Sequence, residues 1–328
     1  MSRQVPFTVG AFGMLTWDQL IDTGAYPIEG TYHIVRSITE QSGGTTGNTS
    51  TALARLGVEV SLAARVGDDP TGRHLIDELA AEGCNIENVL IRTGEPTDRG
   101  VILVSGDQEN RDRTILWVQG ARLKHGDQLP VEPFFAKDLV LVDLDDARLH
   151  LLLLDLPMHV SPRTRIFGTM TFLAELKPFQ ALELALRHDY LAGHVRELMH
   201  ATEQETIQGA IARFQQEMVL SQVRFAAFTD GANGCIMVTR DEAIDIPAFE
   251  VDVVDPTGAG DAFAAGMAWG ILNRFDLEQV GRFANAMGAL ATRQHGARAA
   301  LPSLTDVEAF LQTARIRESD EIRAASSD

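Results

Sequence analysis

The chain has 328 residues, of which 45% are hydrophobic and 23% charged, and its formal net charge is −18. This is the composition of a globular protein, long enough for one large core with an appendage. The acidic balance argues against nucleic acid as a partner, because phosphate backbones call for basic patches, and no apolar run is long enough to span a membrane.

In chain order, Phe7–Phe12 reads as a buried strand and 24–39 as a half-exposed strand pair. Thr49–Leu56 reads as a helix closed by Gly57, Val58–Arg65 as a strand, and Thr71–Glu82 as a helix closed by Gly83. Gly100–Ser105 and Thr114–Val118 are expected to be strands joined around Gly106–Arg113. Leu139–Asp143 is a further strand, and another is expected to begin at Arg165–Gly168. Val195–His200 and Thr206–Met218 read as helices, Arg224–Thr229 as a strand, and Cys235–Thr239 as its continuation past a glycine turn. Ala262–Leu272 is almost wholly apolar, as in a buried helix. Leu277–Arg293 and Asp306–Gln312 are the last helices, followed by a polar tail. Strands alternating with helices predict an α/β fold with a mostly parallel sheet covered on both faces.

The run Asp255-Pro256-Thr257-Gly258-Ala259-Gly260-Asp261 leads straight into the apolar helix. A glycine turn at a helix N-terminus offers backbone N–H groups and the positive end of the helix dipole to an anion. A carboxylate there repels the anion. It makes sense instead as a base that takes a proton from a nucleophile attacking that anion, which suggests phosphoryl transfer. The competing reading is ordinary capping, since Asp in a first turn favours any helix. A P-loop is excluded because Asp261 and Ala262 stand where Lys and Ser/Thr belong, and a dinucleotide fingerprint because Phe263 replaces its third Gly.

Four motifs in order then identify a resemblance to the ribokinase-like carbohydrate kinases, the PfkB family. They are Val254–Gly266, Gly43-Gly44-Thr45-Thr46-Gly47-Asn48 running into Thr51–Gly57, Val66–Gly72, and Phe228–Gly234. The resemblance extends from about Phe7 to Leu311. It implies a three-layer α/β/α fold with a small β-sheet lid closing over a sugar. On that reading, 1–23 belongs to the large domain and 24–40 to the lid. Residues 41–96 return to the large domain, 97–119 to the lid, and 120–312 complete the large domain with the nucleotide site. Residues 313–328 are the polar tail.

The resemblance also implies roles. Asp261 is the catalytic base, and Gly258, Ala259 and Gly260 form the anion hole. Gly43, Gly44 and Asn48 bind the sugar, where the alternative is a turn with Asn48 as a helix cap. Asp18 accepts sugar hydroxyl protons, or is simply a solvated loop residue. Thr229, Gly231, Ala232 and Gly234 form the nucleotide loop, or a plain hairpin turn. Asn285 stands near the adenine, or on the wet edge of its helix. The family's Asn-x-x-Glu, which organises Mg²⁺ water and phosphate, is matched by His194-Val195-Arg196-Glu197. Glu197 is kept, but His replaces the Asn, and Mg²⁺ prefers oxygen ligands. Asp255, Thr257 and the 293–297 loop match a monovalent-cation site, making K⁺ a candidate activator, with a turn residue before Pro256 as the alternative for Asp255.

The expected function is therefore transfer of the γ-phosphate of ATP, with Mg²⁺, to a primary hydroxyl of a sugar or sugar-like polyol. A nucleoside kinase of the same fold and a sugar-binding regulatory protein with impaired catalysis are the alternatives. Three Tyr and three Trp are few for stacking on a base, though Phe12, Trp17 and Trp117 keep that reading open. Arg36, Arg99, Arg111 and Arg113 lie in or near the lid, where they would read an anionic substrate or be solvated. The expected partners are the sugar and ATP, without nucleic acid or membrane, and the lid offers a surface for a homodimer. Met1–Phe7 lacks a basic segment followed by a signal core, so the cytoplasm is the expected location. Cys84 and Cys235 show no metal spacing and read as small buried hydrophobes, and His188 and His200 as packed or surface residues.

Overall fold

The computed structural model describes residues 6–106, 112–157, 161 and 164–317. Its elements run β1 (Thr8–Gly13), β2 (Thr16–Gly24), β3 (Ser37–Gly43), α1 (Thr45–Arg55), β4 (Glu59–Gly67), α2 (Pro70–Ala81), β5 (Asn85–Arg92), β6 (Arg99–Ser105) and β7 (Asp112–Val118). They continue with α3 (Val131–Phe135), β8 (Leu139–Asp143), α4 (Ala147–Asp155), β9 (Ile166–Thr169), α5 (Pro178–Ala185), β10 (Tyr190–His194), α6 (Val195–Thr202), α7 (Ile207–Met218) and β11 (Phe225–Thr229). The last are β12 (Cys235–Val238), β13 (Ala243–Ile246), α8 (Ala259–Leu272), α9 (Leu277–Ala291) and α10 (Leu304–Thr313).

Nine strands form one sheet in the order β13-β12-β11-β10-β9-β8-β1-β4-β5. Pairing is parallel from β5 through to β11 and antiparallel for β11–β12 and β12–β13. The strand sequences explain why both faces are covered. Leu139 and Leu141 of β8 join one core, whereas Val140 and Val142 join the other. Val9 and Ala11 of β1 face the first core and Phe12 the second. A strand buried on both faces reads as a continuous apolar run, because side chains alternate sides. Helices α1, α2, α8 and α9 contribute to the first core, and α4 to α7 to the second. The expected three layers are therefore present.

A separate sheet has the order β3-β2-β6-β7. Here the structure corrects the boundaries. Thr16–Gly24, placed with the large domain in 1–23, is a central strand of the small sheet, pairing with both β3 and β6. The strand pair expected over 24–39 does not form. Residues 25–36 hold no strand and are mostly exposed, and β3 starts only at Ser37. The physical reason is local. Ala25–Gly30 contains Pro27 and a glycine with positive φ, which favour turns over a ladder. Four strands escaped the sequence reading, β2, β5, β10 and β13, of which β5 and β13 are half exposed and β10 and β13 are only five and four residues long. The α1 helix starts at Thr45, four residues before the expected Thr49. The turn between β6 and β7, including Arg111, lies mostly outside the described residues.

Candidate active site

In a parallel α/β sheet, ligands bind beyond the carboxyl ends of the strands. Five strands end on that edge with polar or small residues, at Gly13, Asp143, Thr169, His194 and Thr229. The N-terminus of α1 follows directly on the lid strand β3, and the glycine turn opens α8. Gly13 pairs with Asp143, and a Cβ at Gly13 would meet Thr46 Oγ1 and, at 2.8 Å, the Asp143 carbonyl oxygen. The chain therefore packs strand ends and the start of α1 as closely as glycine permits.

Asp261 lies in the first turn of α8. Gly258 caps that helix at φ 80°, and a Cβ there would lie 2.7 Å from the Ala297 carbonyl oxygen. Gly258 is thus required by backbone conformation and by the 293–297 loop. Gly260 differs, because a Cβ there would meet nothing within 4 Å. The space above Gly260 is open. The Ala259 N–H, expected in the anion hole, instead donates to Pro256 O at 3.2 Å.

Asn48 Nδ2 donates to Asp261 Oδ2 at 2.7 Å. Burial lifts the Asp261 carboxyl to about 6, against the Asn48 hydrogen bond and the Arg113 and Arg298 charges, while Asp18 adds to the rise. Asp18 sits on β2, paired with Gln41 and Gly100 across the lid sheet. It is 9% exposed, and Thr16 Oγ1 donates to its Oδ1 at 2.7 Å. Burial again raises its pKa, outweighing the Thr16 hydrogen bond and the Arg298 charge. Gly43 and Gly100 flank the carboxylate, and a Cβ at either would press on its oxygens. The structure thus brings Asp18, Gly43, Asn48 and Asp261 together from three distant segments.

Arg298 was missed by the sequence reading, which stopped at residue 297. It is 5% exposed. Its Nε donates to Asn48 Oδ1 at 2.9 Å, one Nη to Gly43 O at 3.0 Å, and the other to Glu78 Oε2 at 3.0 Å. Arg55 in turn donates to Arg298 O at 3.0 Å. Asn48, expected to offer its amide to sugar hydroxyls, is instead engaged at both ends, by Arg298 on its oxygen and Asp261 on its nitrogen. The only sequence signal for Arg298 is a lone cation within Ala297-Arg298-Ala299-Ala300-Leu301, a charge among apolar residues that burial would force to find partners.

His194 caps α6. Its Nδ1 accepts the Arg196 N–H at 3.1 Å, while its own N–H donates to Glu197 Oε2 at 2.7 Å. Burial and then the Arg196 charge lower its pKa, so the ring is neutral with Nδ1 as acceptor. Burial raises the Glu197 pKa, opposed by the His194 N–H and assisted by Asp261. Asp143, at the end of β8, is a second residue that the sequence reading passed over as a strand terminus. It is 4% exposed, and Thr169 Oγ1 donates to its Oδ1 at 2.7 Å. Its Oδ2 is buried with no hydrogen-bond partner.

The residues expected to form the nucleotide loop make a tight turn after β11. Gly231 and Gly234 both have positive φ, and a Cβ at Gly234 would run into the backbone of 246–248. Ala232 lies in the exposed tip of this turn, and Thr229 Oγ1 donates to Gly193 O at 3.3 Å. Asn285, expected at the adenine or on a wet helix edge, is 8% exposed and donates to Ile246 O at 3.0 Å and Pro247 O at 3.1 Å. Its amide hydrogens pin α9 to the segment after β13. Asp255 Oδ1 accepts the Thr257 N–H at 2.9 Å and its Oδ2 the Gly296 N–H at 3.0 Å. Burial would raise its pKa, but the Thr257 hydroxyl and then these two N–H groups outweigh it and hold the pKa low. The carboxylate therefore ties the turn before α8 to the 293–297 loop, as more than a turn residue.

Among the described residues, no group of three or more His, Cys, Asp or Glu side chains is arranged to hold a metal ion. His188 is fully buried against His150, with their Nε2 atoms 3.1 Å apart, and His200 bonds Leu176 O at 3.0 Å. Cys84 and Cys235 are free and buried. Among the described residues, no helix is long and apolar enough to cross a membrane.

Known proteins share the family and the fold. The chain matches the model of the pfkB family carbohydrate kinase over residues 14–304. It is 30% identical to the ATP-dependent ribose-1-phosphate kinase of Halopiger xanaduensis, across 91% of this chain and 96% of that protein. It is 26% identical to the ribokinase of Bacillus subtilis, across 91% and 97% respectively. The structure of Arabidopsis thaliana ribokinase complexed with ribose and ATP superposes with a TM-score of 0.77 at 22% identity, covering 94% of this chain and all of that one, 100%.

Proposed function

Because the chain belongs to the pfkB family of carbohydrate kinases, we propose that it transfers the γ-phosphate of ATP to a primary hydroxyl of a sugar or sugar-like polyol, with Asp261 as general base. The observation that carries this is the Asp261 carboxylate. It lies in the first turn of a helix, held by Asn48, with its pKa lifted to about 6. A base poised there is ionised at neutral pH yet basic enough to accept a hydroxyl proton as the oxygen attacks.

Asp18, pressed between Gly43 and Gly100, orients the sugar by accepting hydroxyl hydrogens. The open space above Gly260 leaves room for the transferring phosphoryl group at the N-terminus of α8, whose dipole favours the developing charge. The turn from Thr229 to Gly234 takes the nucleotide. The β2-β3-β6-β7 sheet excludes water when the substrate is in place. Mg²⁺, when bound, would offset phosphate charge, and Glu197 would hold it through water. Asp255 and Thr257 order the turn beside the base, and K⁺ at the 293–297 loop would stiffen the same contact. A second copy of the chain would cover apolar side chains at the lid, where Tyr32 is 93%, Ile34 83% and Ile115 57% exposed.

The test is ADP formation from ATP with pentoses, ketoses, aldonates, sugar phosphates and nucleosides. Turnover with a sugar or sugar derivative supports the reading, and turnover confined to nucleosides replaces it with the nucleoside-kinase alternative. A ligand-induced rise in melting temperature without turnover on any member would favour a regulatory sugar-binding protein.

A further inference from the structure

Asp143, at the carboxyl end of β8, is a buried acid that the mechanism above does not use. Its Oδ1 is fixed by Thr169, while its Oδ2 is inaccessible and has no donor. A buried carboxyl oxygen left without a partner is costly, so such an atom in a folded protein calls for an explanation. The charges that act most strongly on Asp143 are all negative, namely Asp261, Glu197 and Asp145. Of these, Asp145 is paired with Arg122, whose Nε lies 2.7 Å from its Oδ2, so Asp261 and Glu197 are the acids that bear on Asp143. Acidic groups drawn together with one oxygen unsatisfied are what a hard cation would neutralise.

His194 sharpens the point. It stands where an Asn would offer an oxygen, and its Nδ1 is spent on the Arg196 N–H. Magnesium is held by one or two carboxylates, with water and phosphate oxygens completing the shell, so a cage of three side chains is not needed.

We propose that Asp143, through its unpartnered Oδ2, is a ligand of the divalent cation that accompanies the nucleotide, sharing that ion with Glu197 directly or across a bound water. This rests on the kinase reading. Thr169 is then the group that aims the carboxylate, in the way outer-shell hydrogen bonds orient metal ligands. Strand β8 supplies an oxygen that the segment 194–197 lacks.

The experiment is a Mn²⁺ titration of the protein–ADP complex, followed by electron paramagnetic resonance of free Mn²⁺, on the wild type, Asp143→Asn and Thr169→Val. ADP affinity is measured separately in EDTA. Asp143→Asn should weaken Mn²⁺ binding by about tenfold or more, and Thr169→Val by less, with ADP affinity in EDTA unchanged. Unaltered Mn²⁺ affinity in Asp143→Asn overturns the proposal while leaving the kinase reading standing. A wild-type protein that binds no ADP overturns the kinase reading, and this assignment with it. Circular dichroism checks the fold. If Asp143→Asn does not fold, Thr169→Val decides, and an unchanged Mn²⁺ affinity there counts against the assignment.

Discussion

Asn48 and Asp261, 213 positions apart in the chain, meet through a 2.7 Å hydrogen bond from the amide nitrogen to Oδ2. It joins the start of α1, just after the lid strand β3, to the first turn of α8. Any closure of the lid that moves α1 would therefore move a hydrogen-bond donor of Asp261. Arg298 extends the link by holding the other end of the same amide and the Gly43 carbonyl.

Asp261→Asn keeps the shape and removes the proposed base. Turnover should fall on the order of 10²- to 10⁴-fold, with sugar and ATP binding retained. Steady-state kinetics with separate binding titrations check this, and near-wild-type kcat would contradict it.

Activity should decline as pH falls through about 6, as Asp261 takes up its proton. The Asn48 bond favours the charged carboxylate, so its removal in Asn48→Leu should move this limb to higher pH. A pH profile of kcat/KM compares the two. Coincident acidic limbs would mean that the bond does not tune the base.

Arg298→Met removes a buried guanidinium that satisfies Asn48 Oδ1, Gly43 O and Glu78. Breaking one side of a buried ionic network costs about 3 kcal/mol, and somewhat less here because Glu78 is partly solvated. Chemical denaturation should show that loss. The acidic limb of kcat/KM should also shift, an effect that a merely structural residue would not produce. Arg298→Lys should recover only part of both, because a point charge cannot reach three acceptors in a fixed fork.

Gly43→Ala places a methyl group against the Asp18 carboxylate. The sugar KM should rise severalfold with a smaller change in kcat, since in the proposed mechanism Asp18 orients the sugar and does not move the proton. Equal loss in both parameters would place Asp18 in the chemical step.

Asp98 is fully buried between the lid and the large sheet, with one carboxylate oxygen unpartnered. Burial lifts its pKa to about 6, opposed first by the Gly120 N–H. A carboxyl that binds its proton more tightly when folded supports the fold at low pH. That support is complete below the unfolded value near ~3.9 and is lost as pH rises through about 6. The contribution amounts to at most about 3 kcal/mol between pH 4 and pH 8. Asp98→Asn should flatten this part of the stability–pH curve. Denaturation midpoints at pH 4, 6 and 8 for both proteins test it, and parallel curves would count against it.

The sequence by itself determined the order of strands and helices over most of the chain, and the glycine turn that presents Asp261. These signals are local. Period-two and period-3.6 patterns, terminal glycines and a carboxylate in a first turn act over a few residues and survive without knowledge of the fold. Only the tertiary structure decided that Thr16–Gly24 belongs to the small sheet, because its partners lie in β3 and β6. Only there does Arg298 reach Asn48, does Asn285 turn from a nucleotide contact into a staple, and does Asp143 become a buried acid with a bare oxygen. Each depends on which distant segments meet and on what water they exclude. Propensity carries no information about that, because the cost of an unpaired charge or carbonyl arises only once the surrounding chain has closed over it.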